Sequence, residues 1–273
     1  STLVIDNTVF NKNYVASFGT GGGGLGAAVA FSGDHVTVTN STFLGNYFNS
    51  YGSGAGGAIY VNVNKTILIE HNLFEGNTAF GVSGGDGGAL FAELGTQVSS
   101  AELSYSAFKQ NETYSQGEAM YVSNFSSVEF EIFNNTFGGN RTNSTGFSQS
   151  GVFLNSGTAN FNHNTICDFI STSGYGAVVL GDGQAATKAT FSNNLFSNNI
   201  YGNGQFANVY KNPNSTIVSN GGNMMDRETI GSSYFPSSHA LDHINQSVLR
   251  SDVGLDDNYS FVNNNFVPTR ALQ

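Results

Sequence analysis

The sequence predicts an all-β protein that folds as a right-handed parallel β-helix, a solenoid of seven to eight coils of about 30 residues each. Three observations predict this fold. A segment centred on phenylalanine recurs along the chain, and a Gly-Gly-Ala segment alternates with it at the same period. Between these two marks, apolar and polar residues alternate, which is typical of a strand with one face inward.

The first mark is a phenylalanine that is followed three residues later by an asparagine. Its central residues recur at about 29 to 34 residues and are Phe10, Phe43, Phe74, Phe108, Phe137, Ile166 and Phe196. Stacked coils place equivalent residues above one another, so the asparagines should form a ladder that bonds backbone groups at a bend and the next amide. The predicted ladder residues are Asn13, Asn46, Asn77, Asn111, Asn140 and Asn199. In one coil the equivalent position is Phe169, which interrupts the ladder.

The second mark is clearest at Gly56-Gly-Ala-Ile59 and at Gly87-Gly-Ala-Leu90. A unit with short strands and no helix cannot bury its apolar face alone, whereas stacked parallel copies can. Each strand should pair with its equivalent one coil away, about 4.8 Å distant, and right-handed winding is the default for parallel crossovers. The repeats occupy residues 1–225. Residues 226–273 lose the repeat and are predicted to form an irregular C-terminal cap.

Composition limits the classes of function. Only 10% of residues are charged and the net charge is −10, which disfavours nucleic acid or an anionic membrane surface as a partner. No apolar run reaches the length of a membrane span. A hydrophobic content of 39%, with 23 phenylalanines, indicates a folded chain. Cys167 is the single cysteine, so an internal disulfide is excluded and a buried apolar role is expected.

The strand after each Gly-Gly-Ala mark is apolar on both faces. Residues such as Ile59, Leu90 and Met120 should point inward, and an aromatic row should point outward. Such a strand is normally covered on both faces. The cover is either the protein's own Gly- and Ser-rich loops or a partner, a glycan or another copy of the chain. The candidate binding row is Tyr60, Phe91, Tyr121, Phe153 and Tyr210.

The alternative is a polysaccharide-active β-helix enzyme, either a lyase or a hydrolase, or a glycan-binding module. A hydrolase needs two facing carboxylates, and Glu70, Glu102 and Glu131 are expected to lie near one another on one outer face. Lysines and arginines are scattered along the chain, so these residues are interpreted as a solvated acidic stripe. His71 and His163 are interpreted as polar turn residues. We therefore predict no catalytic residues, no metal site and no cofactor.

Several asparagines lie in Asn-x-Ser/Thr sequons, the acceptor sequence for N-linked glycans. Asn111 and Asn140 belong to the predicted inner ladder and should be closed to a glycan. Asn64, Asn124 and Asn214 are predicted to lie on one exposed corner, where glycosylation is open to them.

The paired marks Phe-x-x-Asn and Gly-Gly-Ala-(Ile/Leu/Val) resemble the repeats of chlamydial polymorphic outer membrane proteins. They are similar also to the β-helical region of bacterial choice-of-anchor surface proteins. The resemblance covers roughly residues 2–225, and the copies at residues 56–59 and 87–90 carry most of it. It implies an exported, surface-attached protein used in adhesion or envelope architecture, and it brings no catalytic residues.

These observations lead to the hypothesis of a secreted, extracellular or cell-surface scaffold that is structural or adhesive and not catalytic. Leu3, Ile5 and Phe10 already occupy core positions in the first coil, whose edge would be a template for strand addition. Head-to-tail contact with the segment near residues 261–271 of another copy would build a filament. The expected partners are another copy of the chain and surface glycans.

Overall fold

The computed structural model describes residues 1–17, 24–50, 52, 54–81, 85–142, 150–171, 176–181, 186–201, 205–206, 208–225 and 239–242. In these residues the secondary structure is entirely β, and the strands stack as a solenoid with about 31 residues per turn. The predicted fold class, a parallel β-helix, is therefore confirmed. Nowhere in these ranges is there a helix long and apolar enough to span a membrane. The predicted cap at residues 226–273 lies outside the described residues, except for residues 239–242.

The strands follow one another with short connections. The first half comprises β1 (Thr2–Asp6), β2 (Val9–Asn11), β3 (Tyr14–Ser17), β4 (Gly24–Leu25), β5 (Val29–Thr39), β6 (Thr42–Leu44), β7 (Tyr47–Ser50), β8 (Gly54–Ala55), β9 (Ile59–Glu70), β10 (Leu73–Glu75), β11 (Thr78–Gly81), β12 (Gly85–Asp86), β13 (Leu90–Leu94), β14 (Ser100–Ser104), β15 (Ala107–Lys109) and β16 (Glu112–Thr113). The second half comprises β17 (Met120–Asn124), β18 (Phe130–Phe133), β19 (Thr136–Gly138), β20 (Arg141–Thr142), β21 (Val152–Asn162), β22 (Thr165–Cys167), β23 (Ile170–Ser171), β24 (Val178–Leu180), β25 (Thr187–Ser192), β26 (Leu195–Ser197), β27 (Ile200–Tyr201), β28 (Gln205–Phe206), β29 (Val209–Lys211), β30 (Thr216–Gly221) and β31 (Met224–Met225).

The strands of the described residues form four sheets along the solenoid. Sheet A has 12 strands and begins β1-β5-β9, sheet B has the order β2-β6-β10-β15-β19-β22-β26-β31, sheet C runs from β3 to β28, and sheet D consists of β4, β8 and β12. Pairing is parallel except between β27 and β28, which are antiparallel. The sheet B strands are two or three residues long, and most are centred on the recurring phenylalanine; Phe10, Phe43 and Phe74 are in register. The repeats found in the sequence are thus successive coils.

A tight turn precedes each sheet B strand, and a second tight turn follows each of them from β2 to β26. Both turns place one residue in the left-handed region, where asparagine and glycine are tolerated best. The first turn uses Asn7, Asn40, His71, Tyr105, Asn134, His163, Asn193 and Gly222, and the second uses Lys12, Gly45, Gly76, Gln110, Gly139, Asp168 and Asn198. His71 and His163 are therefore turn residues. The richness of the chain in Asn and Gly follows from this need for positive φ angles.

The core is a column of stacked side chains inside the coils. Phe10, Phe43, Phe74, Phe108 and Phe137 stack face to face with ring centroids 4.9, 4.8, 4.6 and 5.1 Å apart. Inward residues of sheet A, such as Val38, Ile69 and Leu103, pack against this column and are fully buried. Phe43 and Phe74 each have one stacking neighbour above and one below. The column runs along the solenoid axis, so its apolar surface is buried coil by coil.

Sheet D approaches the rest of the coil closely, and glycine permits this. A Cβ atom at Gly24 or Gly54 would clash with the ring of Phe48, which is buried between sheets C and D. Gly56 precedes its strand with a φ of 73°, and a Cβ there would clash with the carbonyl of Ile59. The first glycine of the Gly-Gly-Ala mark is therefore a corner where backbone packs closely on backbone at positive φ, which favours glycine.

Candidate ligand-binding surface

The predicted aromatic row exists on the outer face of sheet A. Tyr60, Phe91, Tyr121 and Phe153 occupy consecutive register positions. Their rings stack with centroids 5.3, 4.7 and 5.2 Å apart. Ile59, Leu90 and Met120, the alternate residues, belong to the main core, so the strands face as expected. Tyr210 does not continue the stack, because Val179 lies between it and Phe153.

Much of this row is closed to a ligand, which corrects the expectation of an outward binding row. Phe153 is 0% exposed and Tyr121 is 9% exposed, and with Val179 they form a second apolar cluster outside the main core. Phe91 and Tyr210 pack against that cluster and remain partly buried. Aromatic rings that stack on one another also use the faces on which a ligand would stack. The two end rings, Tyr60 and Phe153, each have an aromatic neighbour on one side only, and of these two only Tyr60 is partly exposed, beside the exposed Ala30.

A polar column flanks the aromatic row. Glu93 lies in register with Asn62, and one of its carboxylate oxygens accepts hydrogen bonds from Asn62 Nδ2 at 2.9 Å and from the Tyr60 hydroxyl at 3.3 Å. Burial and the neighbouring carboxylate of Glu93 raise the pKa of the Tyr60 phenol. These hydrogen bonds fix Tyr60, at the end of the aromatic row, to the neighbouring polar side chains of Asn62 and Glu93.

Sequence reasoning missed a second aromatic group, on the outer face of sheet C. Tyr14 and Tyr47 are in register, and their rings are parallel with centroids 5.6 Å apart. Phe80 and Tyr114 lie one column further along the strands and meet edge to face at 4.2 Å. Tyr14 is 58% exposed. The signal was a tyrosine immediately after the ladder asparagine, as in Asn13-Tyr14 and Asn46-Tyr47, but it occurs in only two coils.

The outer acidic stripe lies where it was expected. Glu102 and Glu131 are paired in register, and Glu70 pairs with Ser104, two residues further along the strand. The Ser104 hydroxyl donates to Glu102 Oε1 at 2.8 Å, and Asn160 Nδ2 donates to Glu131 Oε2 at 2.8 Å. These two carboxylates are therefore bonded to their own neighbours.

The asparagine ladder is continuous over five coils. Asn77 shows the pattern: its Nδ2 donates to Phe43 O and to Asn111 Oδ1, both at 2.9 Å, and its Oδ1 accepts from the backbone N and the Nδ2 of Asn46 at 3.0 and 2.8 Å. The same links join Asn13 to Asn46 and Asn111 to Asn140. At the interruption, the backbone N of Phe169 still donates to Asn199 Oδ1 at 3.2 Å. The bend between sheets B and C is thus tied to the next coil from Asn13 to Asn140, and again between Phe169 and Asn199.

A second ladder, which sequence reasoning missed, stands two residues before each phenylalanine. Asn135, Asn164, Asn194 and Asn223 link side chain to side chain at 3.0 to 3.1 Å. Earlier coils place Ser41, Asn72 and Ser106 in the same position. The chain of bonds ends at Asp242, whose Oδ1 accepts from the backbone N and the Nδ2 of Asn223 at 3.0 Å. Asp242 therefore takes the place that the next coil's asparagine would fill.

The three candidate glycosylation sites do not share one environment. Asn64 and Asn214 are exposed. The prediction that Asn124 is exposed is wrong, since only 2% of it is accessible and its Nδ2 donates to Val128 O and Thr158 O at 2.8 and 3.1 Å. Asn124 occupies the register position of the inward-facing Val63 and Leu94. Asn111 and Asn140 of the inner ladder are buried as well.

Glu118 is an unusual buried acid. It stands in the Gly-Gly-Ala mark where neighbouring coils have Gly57 and Gly88, and it is completely buried. Neither carboxylate oxygen makes a hydrogen bond of normal geometry. Burial raises the pKa of this carboxyl well above its usual range, and the nearby backbone N–H groups of Glu118 and Ser150 offset only part of the effect. Burial therefore favours the neutral form of Glu118 over the charged one.

Within the described part of the chain, no cluster of three or more His, Cys, Asp or Glu side chains has a geometry that would hold a metal ion. In comparisons with known proteins, no family model, no curated protein and no solved structure matches this chain.

Proposed function

We propose that this chain is an extracellular, non-catalytic β-solenoid scaffold with a structural or adhesive role at a cell surface. The observation that carries the proposal is that buried polar side chains form ladders of hydrogen bonds from coil to coil. Two ladders of buried amides and hydroxyls fix each coil to the next, and the second ends on Asp242. Such ladders give a stiff rod with a regular outer face. The resemblance of the repeats to surface-displayed β-helical proteins supports the same role.

The outer carboxylates also support a scaffold. Proton transfer in glycoside hydrolysis needs a carboxyl pair that is free to meet the substrate. Here Glu93, Glu102 and Glu131 each accept hydrogen bonds from side chains of the same sheet. These bonds favour a structural role for the acidic stripe, in which the carboxylates brace neighbouring coils.

A polysaccharide hydrolase is the second candidate, and one observation favours it. Glu102 and Glu131 lie side by side on adjacent strands, a separation of about 4.8 Å between their backbones. This is near the spacing of the two carboxyl groups in a retaining glycosidase, about 5 to 5.5 Å.

The two candidates are separated by assaying the purified protein on pectate, alginate and neutral polysaccharides, with and without Ca²⁺. The scaffold proposal expects no unsaturated and no reducing sugar ends above the buffer control. Turnover that is abolished by Glu102→Gln or Glu131→Gln would overturn it and establish the hydrolase.

We propose further that the scaffold assembles head to tail. Val4, Val9, Tyr14 and Leu25, which lie in β1 to β4, are among the exposed large hydrophobic residues of the described chain. Exposed apolar surface of this kind favours contact with a second copy of the chain. At the other end Asp242 closes the second ladder, so the contact there would use other strands.

Sedimentation and negative-stain imaging of the purified protein test this assembly. The proposal expects filaments with a repeat of a few nanometres, and Ile5→Asp, which places a charge in the first coil's core, should disperse them. A stable monomer at high concentration would rule the assembly out.

A further inference from the structure

We propose that the outer face of sheet C carries a binding notch for one pyranose ring of a neutral glycan, between Tyr47 and Glu112 with Thr78 as its floor. The proposal rests on the adhesive role proposed above and assigns it a location and a ligand class. It also moves the candidate glycan site away from sheet A, where the aromatic row is self-stacked and largely buried.

The notch arises from a break in a column of side chains. Along the outer face of sheet C the register runs Tyr14, Tyr47, Thr78, Glu112 and Arg141. The Tyr14 ring covers one face of the Tyr47 ring, with an angle of 3° between the two planes. The other face of Tyr47 therefore looks toward the next coil, where the column has only a threonine. In the aromatic row of sheet A, by contrast, each inner ring has a ring on both sides.

The size of the break suits a sugar ring. Tyr47 and Glu112 are two strand spacings apart, which is about 9.6 Å between backbones. A pyranose stacked on Tyr47 at van der Waals distance, about 4 Å, leaves room for hydrogen bonds to a side chain on the far wall. The hydrogen-bearing face of a pyranose is weakly positive and is attracted to the negative face of an aromatic ring. Phe80 and Tyr114 form the side of the notch, one column further along the strands.

Glu112 differs from the other outer carboxylates in its surroundings. Glu93, Glu102 and Glu131 accept hydrogen bonds from neighbouring side chains. Glu112 lies half-buried, and no hydrogen bond to its carboxylate is formed within the described chain. Burial raises the pKa of Glu112, and the charge of Arg141 offsets part of this rise. A partly desolvated acceptor without a donor is suited to the paired hydroxyls of a sugar.

The hydroxyls of Tyr14 and Tyr114 and the carboxylate of Glu112 lie near the Tyr47 phenol, at the notch. Burial is the first cause of the raised pKa of the Tyr47 phenol, followed by the charges of Tyr14, Tyr114 and Glu112. The net charge of the chain is −10, and the far wall of the notch is itself a carboxylate. This charge disfavours uronic-acid and sulfated glycans by repulsion, and it leaves neutral glycans as the favoured class.

Isothermal titration calorimetry with cellohexaose, xylohexaose and mannohexaose tests the proposal, with hexagalacturonate as the charged comparison. At least one neutral hexaose should bind, and hexagalacturonate should bind at least about tenfold more weakly than it. Thr78→Tyr would extend the Tyr14–Tyr47 stack and fill the notch, and should weaken binding by at least about tenfold. Thr78→Ser keeps the notch open and should bind as the wild type does. Glu112→Gln should also weaken binding.

Tyr60→Ala is the control on sheet A and should bind as the wild type does. Circular dichroism of each variant verifies that the fold is retained. The proposal is overturned if none of the three neutral hexaoses binds, if Thr78→Tyr binds as well as Thr78→Ser, or if Tyr60→Ala loses binding equally. Release of reducing ends from a bound hexaose would instead overturn the non-catalytic role and leave the notch standing, so the two failures are distinguishable.

Discussion

Replacing Asn77 by leucine should cost more stability than any exposed substitution of the same kind. The Asn77 side chain makes four hydrogen bonds, two as donor and two as acceptor, and is fully buried. A buried hydrogen bond contributes about 1 kcal/mol net, and a buried group left without a partner costs about 1 to 3 kcal/mol. Leucine would leave the backbone N and the Nδ2 of Asn46 without an acceptor. We expect a loss of about 4 kcal/mol in the free energy of unfolding.

Urea denaturation followed by circular dichroism measures this loss. The matched control is Asn64→Leu, because Asn64 is exposed on sheet A and its replacement should change stability by less than about 0.5 kcal/mol. Glu131→Gln keeps the shape of an outer side chain and should also change little. Equal shifts of the urea midpoint in Asn77→Leu and Asn64→Leu would refute the reasoning, because the ladder would then contribute nothing that a surface residue does not.

Three further predictions follow from buried polar groups. The folded-state pKa of Glu118 is raised. The contribution of Glu118 to the free energy of unfolding is therefore fully present below the unfolded-state pKa and is lost as pH rises through the folded-state pKa. Glu118→Gln should therefore flatten the fall of stability above about pH 4.3, the ordinary glutamate value, and an unchanged slope in urea titrations at several pH values would contradict this. In the same assay, Asn135→Ala should lower the free energy of unfolding by about 2 to 4 kcal/mol, because the Asn135 side chain forms hydrogen bonds of the second ladder. A change as small as that of a surface substitution would show that this ladder does not stabilise the fold. In a glycosylating host, peptide mass spectrometry should find Asn124 unmodified because its amide is buried, and a glycan there would show that the described register is wrong at this strand.

The main features of the fold are readable from the sequence, because each coil repeats the same physical requirement. Phe43 and Phe74 must stack in one column, and Asn46 and Asn77 must bond at one bend, so both positions recur with one period. The fold class could therefore be predicted from spacing alone. The second ladder has the same period, but it is serine at two of its earlier members, Ser41 and Ser106, and asparagine at the others. In a chain rich in both residues, that position does not stand out.

The surface was harder to predict, since exposure depends on what covers a residue from elsewhere in the chain. Phe153 and Tyr60 have the same place in the repeat, yet Phe153 is completely buried and Tyr60 is only half-buried. Asn124 was misplaced because its polarity was taken as a sign of exposure. Alternation along β17 places it inward with Met120 and Val122, in register with the buried Leu94.

The notch on sheet C escaped sequence reasoning because it is defined by a residue that is small. Thr78 follows the ladder residue Asn77 just as Tyr47 follows Asn46. Only the register shows that a threonine there opens a space between a ring and a carboxylate. A repeat pattern identifies positions that hold the same type of residue in successive coils. A site of this kind instead depends on a position where one coil has a different residue from its neighbours.

The stacking register is the central claim, and distances between spin labels test it most directly. Thr37, Asn160, Thr190 and Val218 belong to one outer column of sheet A. In a Cys167→Ser background, labels at Thr37 paired with labels at Asn160, Thr190 or Val218 should lie about 19, 24 and 29 Å apart, since each coil adds about 4.8 Å. Pulsed electron paramagnetic resonance should show this steady increase. Distances that do not rise by one strand spacing per coil would contradict the solenoid register and the proposals that depend on it.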